Sequence, residues 1–86
     1  LPICLAKELS QELAKHRINV NVLGTGLTDT RMAHLPGRSW EDETKGLPWY
    51  RVGTPKDQAS AIVFLVSEAA EYITGQVLCP NGGAWM

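Results

Sequence analysis

The sequence predicts a layered α/β fold, and three observations predict it. Leu1, Leu5, Leu9 and Leu13 recur every fourth position, one face of an amphipathic helix. Ile18 to Leu23 alternates apolar residues with asparagines, the period of a strand. A second helix, announced by Thr54, Pro55 and Asp57, separates that strand from a short one at Gln76 to Cys79. Strand, crossover helix, strand implies parallel pairing, and parallel strands are covered on both faces by further layers.

The first helix is expected to run to about His16. No Ser, Thr, Asp or Asn cap precedes Leu1, so the stripe reads as the later part of a helix and the chain as a portion of a larger α/β fold. Pro2 suits only a first turn or a kink. Lys15, His16 and Arg17 suit a helix C-terminus, where cations complement the dipole. In the first strand Ile18, Val20 and Val22 face one side and Asn19 and Asn21 the other. An amide in a covered strand needs partners, so Asn21 reads as structural. Gly24-Thr25-Gly26 ends the strand.

Residues 27–50 sustain no period and are punctuated by Pro36, Gly37, Gly46 and Pro48. Connections of this length inside a domain are lids, binding loops or disordered segments. Ser39, with Asp42 three positions on, could cap a short helical piece reaching Thr44. In the second helix Asp57 takes the place of the Glu or Gln of a capping box. This helix carries Ala59 and the run Ile62 to Val66 and is expected to end near Ala70. Its apolar surface is broad enough for a sheet and a second neighbour. Gly75 marks a turn, Pro80 stops the second strand, and Asn81-Gly82-Gly83 is a turn. Trp85 and Met86 are expected to be buried against another segment or subunit.

At 86 residues the chain is at most one small domain, of a size that buries only about 60–65% of its extended surface. An apolar share of 44% and a charged share of 20% indicate a globular chain rather than a disordered one. A net charge of −1 with scattered Lys and Arg excludes an electrostatic nucleic-acid surface. Cys4 and Cys79 are expected to be reduced, buried thiols of a cytoplasmic protein, with an organellar matrix and an upstream targeting segment left open. The longest apolar run, Ala61 to Val66, is far too short to cross a bilayer, and no membrane partner is expected. His16, His34, Cys4 and Cys79 lack the spacing of metal ligands.

Val22-Leu-Gly-Thr-Gly26 invites a dinucleotide-fingerprint reading. Asp29 stands where the third glycine is required, and Pro36 and Gly37 interrupt the helix that should face the pyrophosphate, which leaves an ordinary glycine turn. Thr25 to Thr30 is the better candidate for ligand contact. It follows the carboxyl end of a parallel strand, its small residues admit close approach, and Thr28 and Thr30 offer hydroxyls. A plain turn is the competing reading.

Taken together, Ile18-Asn-Val-Asn-Val, Thr25-Gly26 with Thr30 and Met32, Arg51-Val-Gly-Thr-Pro55, Ala61-Ile-Val-Phe-Leu-Val-Ser67, Tyr72-Ile-Thr-Gly-Gln76 and Asn81-Gly-Gly83 resemble the later part of the short-chain dehydrogenase/reductase family. The likeness spans essentially the whole chain, is weakest from Ala33 to Tyr50, and is greatest to the 3-oxoacyl-carrier-protein reductases and related carbonyl reductases. It implies that residues 1–86 are the C-terminal portion of one Rossmann-like, doubly wound, NAD(P)-binding domain. The parent would interconvert a carbonyl and an alcohol by hydride transfer with NADP or NAD.

The resemblance further implies a nicotinamide-side turn with Gly26, Thr28 and Thr30, and a substrate-binding loop, 27–50, with Met32, Leu35, Trp40 and Trp49. For those last four, core packing is the alternative. Thr25 departs from the family's proline and loosens the turn. Arg51, Gly53, Pro55, Tyr72 and Gly75 read as structural. The family's catalytic Tyr and Lys stand four residues apart, whereas Thr54 follows Tyr50 and Gln76 follows Tyr72 at that spacing, so no catalytic residue is assigned here. A homodimer or homotetramer is implied. The rival reading is a non-catalytic truncated product acting only in subunit association.

Overall fold

The computed structural model describes residues 2–31, 45–49 and 51–84. Helix α1 (Pro2–Leu13) begins at its proline, where the missing N–H removes no intrahelical bond. It tightens into a 3-10 turn over Ala14–His16, with Lys15 and His16 in the last turn. Arg17 closes that turn in the left-handed conformation (φ 58°), its N–H donating to the Ala14 carbonyl at 2.9 Å.

Strand β1 (Val22–Leu23) pairs in parallel with β2 (Val77–Leu78), Val22 opposite Val77 and Leu23 opposite Leu78. The hydrogen bonding is longer than the strands. Gly75 N donates to Val20 O at 2.8 Å, Val22 N to Gln76 O at 2.9 Å and Gly24 N to Leu78 O at 2.8 Å. The alternation that begins at Ile18 therefore becomes a ladder only from Val20. Side chains tie the start of it: Asn21 donates to Ile73 O and accepts from Gln76 N, each at 3.0 Å, and Asn19 donates to Glu71 O at 2.9 Å. Both asparagines are structural.

Helix α2 (Pro55–Leu65) starts as its sequence demands. Thr54 Oγ1 accepts from Asp57 N at 3.2 Å and the Asp57 carboxylate accepts from Thr54 N at 2.7 Å, a complete capping box with Pro55 in the first turn. It ends before Ala70. Ser67 Oγ donates to the Phe64 carbonyl at 2.6 Å, which diverts an acceptor from the next turn, and the chain resumes as a 3-10 turn over Glu68–Ala70.

The buried face of α1 is Ala6 and Ser10, while Leu5 is 58% exposed and Leu9 and Leu13 are half-buried. The reason is close approach. Gly75, at φ +70°, lies so near that an added Cβ would stand 2.8 Å from Ser10 Oγ, and Lys7 Nζ reaches the Gly75 carbonyl at 2.8 Å. Small side chains at that crossing leave the leucines on its flanks.

In α2 the inward row is Gln58, Ala61 and Leu65, and Ala59, Ile62, Val63 and Phe64 are exposed, as is Val66 at its C-cap. Among the described residues only Ala6 and Ala70 are buried and apolar, and no large side chain is fully enclosed. The accessible surface is 6710 Å², against about 5000 Å² for a folded monomer of 9.4 kDa. The fold is thus a helix-covered parallel strand pair with uncovered apolar surface. Cys4 is exposed and Cys79 half-buried, unlike the enclosed thiols expected: Cys4 lies off the buried face of α1, which is Ala6 and Ser10, and Cys79 follows β2, whose two residues are themselves exposed. Trp85, Met86 and the Ser39–Thr44 piece lie outside the described residues.

Candidate cofactor-facing turn at the strand ends

Because β1 and β2 run parallel, their carboxyl ends lie together, and the turns that leave them meet. Gly26 is the point of contact. A Cβ built there would stand 2.6 Å from Asn81 Cβ and 2.8 Å from Asn81 Cα, distances that real side chains do not reach. Glycine is required by proximity, and the Asn81 turn seats directly on the turn after β1.

Thr28 is then fixed from two directions. It forms an isolated parallel bridge with Gly53: Gly53 N donates to Leu27 O at 2.9 Å and Asp29 N to Gly53 O at 2.8 Å. In such a bridge the partner bonds the neighbours of the central residue, so Thr28's own N–H and C=O point to the opposite edge. Among the described residues neither has a partner. The hydroxyl turns inward, donating to Gly26 O at 2.9 Å and accepting from Gln58 Nε2 at 3.3 Å.

Gln58 also donates to Pro80 O at 3.0 Å, so one buried amide joins both turns. Its Oε1 is enclosed without a donor among the described residues. An unsatisfied buried carbonyl of this kind costs about 1–3 kcal/mol.

Beside the turn lies a cleft of about 260 Å³ lined by Leu27, Trp49, Arg51, Gly53, Asp57 and Gly82 among others. Arg51 Nη1 donates to Asp57 Oδ2 at 2.8 Å and to Val52 O at 2.9 Å, and its guanidinium sits 5.7 Å from the centre of the Trp49 ring. The Arg51 hydrogen bond, then those from Thr54, hold the Asp57 carboxyl well below the usual range, and Asp57 raises Arg51 in turn. This wall of the cleft is a committed ion pair at neutral pH.

Of the residues singled out in the sequence, Gly26 and Thr28 come together at the strand ends. Thr30 is exposed two residues further on, and Trp49, 67% exposed, flanks the cleft. Met32, Leu35 and Trp40 lie outside the described residues. Arg51, Gly53, Pro55 and Gly75 each make the structural contacts given above, whereas Tyr72 is fully exposed. Gln58 was not singled out. Its signal is an uncharged polar residue on the same helical row as Ala61 and Leu65. Among the described residues no three His, Cys, Asp or Glu side chains cluster to hold a metal, and no helix is long and apolar enough to cross a membrane.

A parallel strand pair whose carboxyl-end turns interlock around an outward peptide edge defines the ligand-facing end of a layered α/β domain. The chain belongs to the short-chain dehydrogenase/reductase family: the family described as enoyl-(acyl carrier protein) reductase matches residues 3–84. Relatives include a 3-oxoacyl-[acyl-carrier-protein] reductase of Chlamydia trachomatis, 42% identical over 94% of this chain and 33% of that protein. A 3alpha-hydroxysteroid dehydrogenase of Mediterraneibacter gnavus is 41% identical over 93% of this chain and 32% of its own length. The solved structure of YwfH, an NADPH-dependent reductase involved in bacilysin biosynthesis, superposes with a TM-score of 0.88 at 35% identity, covering 96% of this chain and 36% of that one. The chain spans about a third of the length of the curated relatives it matches.

Proposed function

We propose that these residues form the C-terminal portion of one NAD(P)-binding Rossmann-like domain, in a short-chain oxidoreductase that interconverts a carbonyl and an alcohol. The observation that carries this reading is the outward edge of Thr28. One N–H donor and one C=O acceptor, side by side and without partners among the described residues, match the acceptor and donor of a nicotinamide carboxamide. The residues fit the group. Gly26 keeps the turn seated on Asn81, Thr28 presents the edge, and Thr30 offers a hydroxyl beyond it. When bound, the nicotinamide supplies the hydride, and the role of this chain is to hold and orient it. The proton donor is assigned to residues outside these 86, since neither Tyr50 nor Tyr72 has a lysine four positions on.

NADP is preferred over NAD in this reading on the strength of the NADPH-dependent neighbour. A carbonyl substrate is favoured because the curated relatives are named for a 3-oxoacyl group and a hydroxysteroid. The loop 27–50, with Met32, Leu35, Trp40 and Trp49, covers the substrate, and Trp49 at the cleft supports that assignment. The apolar outer face of α2 supports a homodimer or homotetramer.

The test is titration of the complete protein with NADPH and with NADH by nicotinamide fluorescence, followed by oxidation of the bound cofactor at 340 nm on adding a 3-oxoacyl thioester. Saturable binding and thioester-dependent oxidation are expected. Absence of binding refutes the reading. If self-association persisted without it, the same α2 face would favour the rival, a product acting only in subunit association.

A further inference from the structure

Gln58 stands where a helix normally places an apolar residue, on the inward row with Ala61 and Leu65 and 9% exposed. Its carboxamide is only half used. The nitrogen must face Pro80 O and Thr28 Oγ1, because the Pro80 carbonyl can only accept, and this orientation leaves Oε1 enclosed and unsatisfied. A methionine of similar shape would fill the space without that cost. A sequence that keeps the amide keeps a local defect, and such departures concentrate where a site needs the group.

What the group does is visible in the direction of its bonds. Gln58 N–H points to Thr28 O–H, which points to Gly26 C=O, while the same nitrogen reaches Pro80 beside the Asn81 turn. Removing the amide leaves the Thr28 hydroxyl without this donor and takes away the bond from Gln58 to the Pro80 carbonyl beside the Asn81 turn.

We propose that Gln58 is a positioning residue for the cofactor: acting through the Thr28 hydroxyl, its carboxamide sets the outward peptide edge of Thr28 that receives the nicotinamide carboxamide. This rests on the function proposed above. It assigns to α2 a part in cofactor affinity, exerted through the Thr28 hydroxyl.

The test is a double-mutant cycle in the complete protein, read by the NADPH dissociation constant and by KM for NADPH against kcat. Q58M is expected to raise both the dissociation constant and KM about fivefold, the loss of one hydrogen bond, with kcat within about twofold. In a T28V background Q58M should have almost no further effect, because the two act as one chain, and T28S should restore its effect. If Q58M does not fold, the proposal still predicts that T28V weakens NADPH about fivefold and T28S does not. A Q58M effect of equal size with and without T28V overturns the proposal. So does a lowered melting temperature with unchanged KM for NADPH, or a T28V as tight as wild type. Failure of the unsubstituted protein to bind NADPH instead refutes the functional reading, and this inference with it.

Discussion

Substituting Gly26 by alanine tests the interlocked turns most directly. The new methyl would lie 2.6 Å from Asn81 Cβ and 2.8 Å from Asn81 Cα. Unstrained carbon pairs sit about 3.5–4.0 Å apart, so the turns must separate by about 1 Å. Neither contact is the far end of a flexible side chain, and the backbone itself must give. Overpacking of this kind costs about 1–3 kcal/mol. The displaced turn carries Thr28, tied to Gln58 at 3.3 Å, so the same shift lengthens a hydrogen bond already near its limit. Urea denaturation of the complete protein should show a lower midpoint at an unchanged slope. If half of that strain is expressed at the site, the NADPH dissociation constant rises about two- to tenfold, since 1.4 kcal/mol corresponds to a factor of ten. The double variant with N81G, which removes the 2.6 Å contact and leaves the 2.8 Å one, should recover part of both losses. A G26A protein within about 0.5 kcal/mol of wild type would refute the argument, because surface changes without a steric consequence fall in that range.

Other consequences are open to measurement. T54A removes the cap of α2 and should cost about 1 kcal/mol in denaturant unfolding, with T54S close to neutral. The Asp57 carboxyl is held below its ordinary value of 3.8, so the stability it adds is complete above that value and is lost as pH falls toward the depressed one. The melting-temperature gap between wild type and D57N should therefore be widest near neutral pH and narrow on acidification, and more so in low salt; a gap that widens in acid contradicts this. G75A forces a side chain into the left-handed region at about 1–2 kcal/mol and adds the 2.8 Å contact with Ser10, so the melting-temperature loss in G75A should be partly relieved by S10A.

Elements with local causes were legible in the sequence. The start of α2 needed only Thr54, Pro55 and Asp57, and the structure forms the full box there. The alternation from Ile18 implied a strand, and Asn21 was readable as structural because its type and place demanded partners. What depended on tertiary approach was not legible. The leucines of α1 gave a face, but the buried pair is Ala6 and Ser10, since the crossing with Gly75 admits only small groups. In α2 apolar residues occur all round, so periodicity could not tell the row of Gln58, Ala61 and Leu65 from that of Ile62 and Val66. That Gly26 and Thr28 lie in the turn at the strand's carboxyl end was legible from their place after the strand. Gln58 and Asn81 reach them only through the packing of α2 and the end of β2.

The bridge between Thr28 and Gly53 has a consequence for how such a protein can diversify. Two bonds of 2.8 and 2.9 Å clasp the chain where the long connection leaves and returns. Everything between the clasped ends can be lengthened, shortened or rewritten while the turn at Thr28 keeps its register. Doubling a loop's length adds only about 0.6 kcal/mol of closure entropy. Under the proposed function, substrate range and cofactor grip would thus evolve on separate clocks, the first in the sequence inside the clasp and the second in the few residues that form it.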